Sequence, residues 1–129
     1  LHPAKYAEML GKKMKQHNVK VWLVNTGWSG GPYGIGKRMK LSYTRTMITA
    51  ALEGKLDDVE YDITPWFKLA IPKSCPNVPS EILNARNTWP SPDAFDKKAR
   101  ELAKEFVNNF EKYSSGANEE ILAAAPRIN

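Results

Sequence analysis

The spacing of apolar positions changes several times along the chain, and each change marks an element. Tyr6, Met9, Leu10 and Met14 recur at helical spacing, while Lys5, Glu8, Lys12 and Lys15 lie elsewhere on the wheel, the pattern of an amphipathic helix. Pro3 opens it where its missing N–H is harmless, and His17-Asn18 closes it, with His17 expected as a C-terminal cap. Residues 19–26 (VKVWLVNT) are β-branched and mostly apolar, which predicts a strand buried on both faces. Residues 27–36 hold five glycines and one proline, a composition that excludes regular structure. Helix resumes near Ser42, the expected N-cap, with Met47, Ile48, Ala51 and Leu52 as its apolar stripe. Gly54 stands where a left-handed residue ends such a helix.

Two short strands follow, at 57–63 and 67–71, joined through Thr64-Pro65-Trp66. Prolines at 76, 79 and 90 make residues 73–90 a long ordered loop or a disordered one, and Trp89 and Ile82 argue for order. Ser91-Pro92-Asp93 then supplies an N-cap, a first-position proline and an early acid. Behind it, Phe95, Ala99, Leu102, Phe106, Val107 and Phe110 form one face through to Tyr113, until Ser114-Ser115-Gly116 stops the helix. A short helix over 119–125 precedes Pro126. Glu119 and Glu120 suit its N-terminus.

Composition narrows the class. The chain has 129 residues and is 42% hydrophobic, which suits one domain or part of one and excludes wholesale disorder. No apolar run approaches the roughly 20 residues of a membrane helix. Cys75 is the single cysteine and His2 and His17 are the two histidines, so neither a disulfide framework nor a Cys/His metal site is expected. Nineteen Lys and Arg against 14 Asp and Glu leave a net charge of +5. The basic residues are dispersed in three small groups rather than gathered on one face, so no nucleic-acid partner and no membrane partner are expected. The first fifteen residues are amphipathic and basic with no apolar leader, and the expected location is the cytoplasm.

The one place where composition suggests chemistry is the glycine loop. Gly31 to Lys37 fits G-x-x-x-x-G-K between a predicted strand and a predicted helix, the setting of a phosphate-cradling loop. Arg38 stands where Ser or Thr must bind Mg²⁺, and Pro32 and Tyr33 remove a donor and add bulk, so a phosphate loop is not expected here. The dinucleotide fingerprint fails at Met39, its third glycine position. What remains is a loop ending in Lys37-Arg38-Met39-Lys40. A guanidinium beside a thioether is suited to lining a flat aromatic ligand, and Thr44 is placed to hydrogen-bond a base edge or a ribose. On residue types alone, Arg38 and Arg45 paired with carboxylates and a core Met39 fit better. Asp57-Asp58 reads as a solvated turn, Cys75 as an inert thiol, and Trp22, Trp28, Trp66 and Trp89 as core anchors.

The run LVNTGWSGGPYGIGKRMKLSYTR, from Leu23 to Arg45, closely resembles the C-terminal region of the ATP-dependent phosphoenolpyruvate carboxykinase family. Leu1-His2-Pro3 with Tyr6-Ala7-Glu8, Ala50–Gly54, Ala70-Ile71-Pro72, Cys75–Pro79, Asn84–Trp89 and Pro126–Asn129 resemble it too, so the likeness covers residues 1–129. The resemblance implies an α/β fold. The whole chain would be the C-terminal segment of a mononucleotide-binding domain, a short sheet with flanking helices, and its partner would be the rest of a longer parent chain. It implies a carboxy-lyase of gluconeogenesis that converts oxaloacetate and ATP to phosphoenolpyruvate, ADP and CO₂, assisted by Mg²⁺ and Mn²⁺. The family's phosphate loop, its Mn²⁺ ligands and its oxaloacetate-binding arginine lie upstream, without counterparts here. What carries over is nucleotide recognition. Arg38 and Met39 match positions that flank the adenine and ribose, and Thr44 matches a threonine that contacts the nucleotide. Many members carry isoleucine at Met39, and Arg45 matches a recurrent arginine of structural role. The rival expectation is a stand-alone basic module that binds nucleotides or RNA without catalysis.

Overall fold

The computed structural model describes residues 2–128; Leu1 and Asn129, which belong to the terminal resemblance motifs, lie outside the described residues. Helix α1 spans Pro3–His17. The His2 side chain accepts from the Ala4 N–H at 3.3 Å, and Asn18, at φ 48°, closes the other end. The predicted stop is therefore right in place, but Asn18 rather than His17 supplies the cap. A left-handed turn suits Asn better than most residues.

Residues 19–26 are the main departure from expectation. They form no strand. Among the described residues, no backbone hydrogen bond is made by residues 20–26. The β pattern is present, but a strand exists only with a partner, and no described segment pairs with it. Trp22 packs on the main cluster and Lys20 pairs with Asp57, so the segment is held at intervals. Val21 and Leu23 remain 58% and 78% exposed.

The glycine loop is more ordered than its composition predicts. Strands β1 (Trp28–Ser29) and β2 (Lys37–Arg38) pair antiparallel, with Trp28 opposite Arg38 and Ser29 opposite Lys37. The Met39 N–H extends the ladder to the Gly27 carbonyl at 3.1 Å. Between the strands, the Ile35 and Gly36 N–H groups both donate to the Pro32 carbonyl, at 3.0 and 2.9 Å. A Cβ on Gly36 would stand 2.5 Å from the Gly31 carbonyl oxygen and 2.9 Å from that of Ser29, so only glycine fits there.

Helix α2 runs Leu41–Leu52 with Lys40 at the N-cap. It begins before the predicted Ser42, whose carbonyl instead accepts from the Thr46 hydroxyl at 2.9 Å. Gly54, at φ 71°, terminates it as expected. The hairpin β3 (Tyr61–Ile63) and β4 (Ala70–Pro72) is antiparallel and shorter than the two predicted strands. The proline-rich stretch contains a 3₁₀ turn at Ser80–Ile82 and a one-turn helix α3 (Ala85–Thr88). Asn84 caps α3 by accepting from the Arg86 N–H at 3.1 Å.

Helix α4 spans Pro92–Phe110, with the Ser91 hydroxyl accepting from the Ala94 N–H at 3.2 Å. It continues as 3₁₀ over Glu111–Gly116, and α5 (Glu119–Ala123) follows. Of its predicted apolar face, Ala99 is buried while Leu102 and Phe106 stay 42% and 55% exposed. Phe106 meets Phe67 edge-on at 6.0 Å, and Arg100 lies 4.8 Å over the Trp66 ring. The Arg127 N–H donates to the Trp66 carbonyl at 2.7 Å, tying the tail to the β3–β4 turn.

The architecture is thus mixed helix with two small antiparallel sheets, consistent with an α/β segment. Its main core is compact. Ala50, Leu56, Cys75 and Val78 are buried, with Trp22, Tyr43, Met47 and Ile82 around them. Burial pushes the Cys75 thiol up from its ordinary value, consistent with the inert role expected. Trp28 departs from the core-anchor expectation, at 47% exposed.

Candidate functional site

The site is built where β2 runs into α2. Ser29, Arg38, Met39, Tyr43, Ile82 and Thr88 are among the residues that wall a hollow of about 220 Å³. Ligand pockets that enclose a whole drug-sized molecule measure about 300–1,000 Å³, so this one accommodates a ring system rather than a complete nucleotide. Arg38 is exposed and Met39 half-buried. The hollow therefore combines a solvent-facing guanidinium with a partly sheltered thioether.

Of the three residues singled out from sequence, the structure brings Arg38 and Met39 together. Thr44 does not line the hollow; it is 5% exposed. The helix explains this. Successive residues turn by about 100°, so Tyr43 faces the hollow while Thr44 turns into the protein. Tyr43 carries the Lys40 ammonium 5.5 Å from its ring centroid. Among the described residues, Lys37, Arg38, Lys40 and Arg45 form no salt bridge. The carboxylate pairing that residue types favoured for Arg38 and Arg45 is absent from the described residues.

Thr88, from α3, was not legible as a site residue. Its hydroxyl accepts from the Gly30 N–H at 3.0 Å and from the Ser29 hydroxyl at 3.2 Å, and donates to the Ala85 carbonyl at 2.7 Å. It clasps the glycine loop from nearly sixty residues away. Behind it, Arg86 holds Asp96 of α4 through two bonds of 2.9 and 3.0 Å, a fork-to-carboxylate pair. Hydrogen bonding from Arg86 lowers the Asp96 carboxyl from its ordinary value.

A larger hollow of about 340 Å³ lies beside the β3–β4 hairpin, at Asp62, Lys73, Glu81 and Asn84. Its cation is already engaged, since Lys73 pairs with Glu60 at 3.2 Å and Asp62 at 3.4 Å. Among the described residues, no three His, Cys, Asp or Glu side chains are grouped to hold a metal ion, and no helix is long and apolar enough to cross a membrane.

Residues 1–81 match the sequence profile of phosphoenolpyruvate carboxykinase. The chain belongs to that family. Among curated carboxykinase relatives, it is 67% identical over 126 residues to the phosphoenolpyruvate carboxykinase (ATP) of Flavobacterium johnsoniae. It is 60% identical over 126 residues to that of Christiangramia forsetii and 58% over 127 residues to that of Caldanaerobacter subterraneus. Each alignment covers 98% of this chain and 24% of the carboxykinase relative, so the chain spans about a quarter of the length of the proteins it matches.

Proposed function

We propose that this chain is the adenine- and ribose-recognising segment of an ATP-dependent phosphoenolpyruvate carboxykinase, within its mononucleotide-binding domain. In that enzyme oxaloacetate and ATP yield phosphoenolpyruvate, ADP and CO₂. The observation that carries the reading is the hollow where Arg38, which makes no salt bridge among the described residues, meets a half-buried Met39. A guanidinium without a carboxylate partner keeps its flat face for a flat ligand. Met39 and Ile82 give the apolar contact, and Lys37 and Lys40, which also line the hollow, add positive charge suited to a phosphate. Thr44, being buried, serves by setting the angle of Tyr43 and the first turn of α2, with any nucleotide contact made through that turn.

The phosphate loop, the residues that hold Mg²⁺ and Mn²⁺, and the oxaloacetate site belong to the rest of the parent chain on this reading. Phosphoryl transfer and decarboxylation are done there, and this segment binds and orients the base. The 129-residue chain alone therefore forms no phosphoenolpyruvate.

The test is Arg38→Ala in the full-length enzyme. Loss of a desolvated cation–π contact of about 1–2 kcal/mol raises the KM for ATP roughly five- to thirtyfold, with the KM for oxaloacetate little changed. Arg38→Lys restores little, because an ammonium lacks the planar fork. Equal losses for both substrates would replace base recognition with a structural role.

A further inference from the structure

We infer that Asp96 is a positioning residue for the hollow, acting through Arg86 and the one-turn helix α3. The inference rests on the reading of the hollow as a base site. Neither Asp96 nor Arg86 lines the hollow. Thr88 does, and it stands on the same short helix as Arg86. Residues two apart in a helix point about 200° apart around it, so Arg86 and Thr88 leave α3 on opposite sides. On one side the Arg86 Nε and Nη2 donate to the two Asp96 carboxylate oxygens, at 2.9 and 3.0 Å. On the other, the Thr88 hydroxyl holds the Gly30 N–H and the Ser29 hydroxyl. Helix α3 is thus a strut between α4 and the glycine loop.

A strut of this length does not stand alone. It has four residues, and a single turn carries the unfavourable nucleation of a helix without the propagation that offsets it. What fixes it lies at its ends and on α4. The Asn84 side chain caps it by accepting from the Arg86 N–H at 3.1 Å. The Trp89 ring meets Phe95 of α4 edge-on at 5.5 Å. The Asp96 carboxylate holds the Arg86 fork in one orientation. The far side has little slack, since a Cβ on Gly30 would stand 3.3 Å from the Thr88 carbonyl oxygen. The Thr88 hydroxyl already donates to the Ala85 carbonyl at 2.7 Å, which leaves it no proton for a ligand. Its part is to place Ser29, which lines the hollow and pairs with Lys37, the neighbour of Arg38, across the β1–β2 ladder. Releasing α3 from Asp96 therefore moves a wall of the hollow without removing any group that lines it.

The experiment is Asp96→Asn, Arg86→Lys, Thr88→Val, the Asp96→Asn/Thr88→Val double variant and Arg38→Ala in the full-length enzyme. KM for ATP and for oxaloacetate, kcat and hydrogen exchange at the Gly30 amide are measured for each. Asp96→Asn keeps the shape of the side chain and removes its charge. It is expected to raise the KM for ATP about three- to tenfold, within what a residue contributes through intermediate packing, and to lower protection at Gly30. The KM for oxaloacetate and kcat should change little. Arg86→Lys breaks the fork from its other side and should reproduce the ATP-specific rise. In the double variant Asp96→Asn should add nothing to Thr88→Val, because the strut has already lost its far end; independent effects would multiply instead. An unchanged ATP KM in Asp96→Asn and Arg86→Lys, with a raised one in Arg38→Ala, overturns the strut and leaves the base site standing. Effects that multiply in the double variant overturn the route through α3. Equal losses for ATP and oxaloacetate assign the pair to general stability and also overturn the proposal. No nucleotide effect in Arg38→Ala overturns the base site, and the positioning role with it.

Discussion

Thr88→Val tests how the loop beside the hollow is held. Valine keeps the branched shape and exchanges the hydroxyl for a methyl. Two donors lose their acceptor: the Gly30 N–H at 3.0 Å and the Ser29 hydroxyl at 3.2 Å. A buried amide left unpaired costs about 1–3 kcal/mol. Gly30 is half-buried, so the lower part of that range applies. The serine hydroxyl can rotate to water, and its loss adds a net hydrogen bond of about 0.5–1 kcal/mol. The sum is about 2 kcal/mol, close to thirtyfold in a local opening equilibrium. Hydrogen exchange at the Gly30 amide reads this directly, and its protection should fall by that factor. Thr88→Ser keeps the hydroxyl and should retain most of the protection. Unchanged exchange at Gly30 in Thr88→Val would refute the clasp. An equal loss in Thr88→Ser would show that the methyl group, not the hydroxyl, does the holding.

Two other expectations follow from contacts away from the hollow. The Asp96 carboxyl is lowered in the folded state by its bond from Arg86, so its contribution to stability is present above the ordinary carboxylate value and is lost as pH falls through the lowered one. Thermal unfolding from pH 6 down to pH 2 should show Asp96→Asn less acid-sensitive than the parent, and parallel curves would reject the assignment. The 129-residue chain should self-associate through residues 19–26, where residues 20–26 make no backbone hydrogen bond among the described residues and Val21 and Leu23 are exposed. Sedimentation over a concentration series checks this, with Leu23→Lys expected to shift the chain toward monomer; a monomer at all concentrations would contradict it.

What could be read from sequence divides along the range of the interactions. The start of α4 was legible because Ser91, Pro92 and Asp93 act within one turn, and Gly54 marked the end of α2 for the same reason. Residues 19–26 carry the β pattern but not a strand, since pairing depends on a distant segment that local composition cannot supply. Helix α3 hides in a proline-rich stretch, where an Arg86–Asp96 pair ten residues apart steadies it. At the site, Arg38 and Met39 were marked by the glycine loop ahead of them and by resemblance. Tyr43 gave no signal of its own, because a start near Ser42 leaves the phase of α2 open, and one residue's difference is a 100° turn. Thr88 gave no local signal at all, because its role exists only once α3 meets the loop.

The tight fit at Gly36 also bears on the timing of ligand capture. With Gly36 against the Gly31 and Ser29 carbonyls and two N–H groups on the Pro32 carbonyl, the turn loses its conformational freedom when the chain folds. Little remains to be lost when a ligand arrives, so the cost of ordering is taken out of the affinity. On the proposed reading, a base arriving at this turn meets a surface already in its final shape, so the turn itself adds no ordering step to its capture.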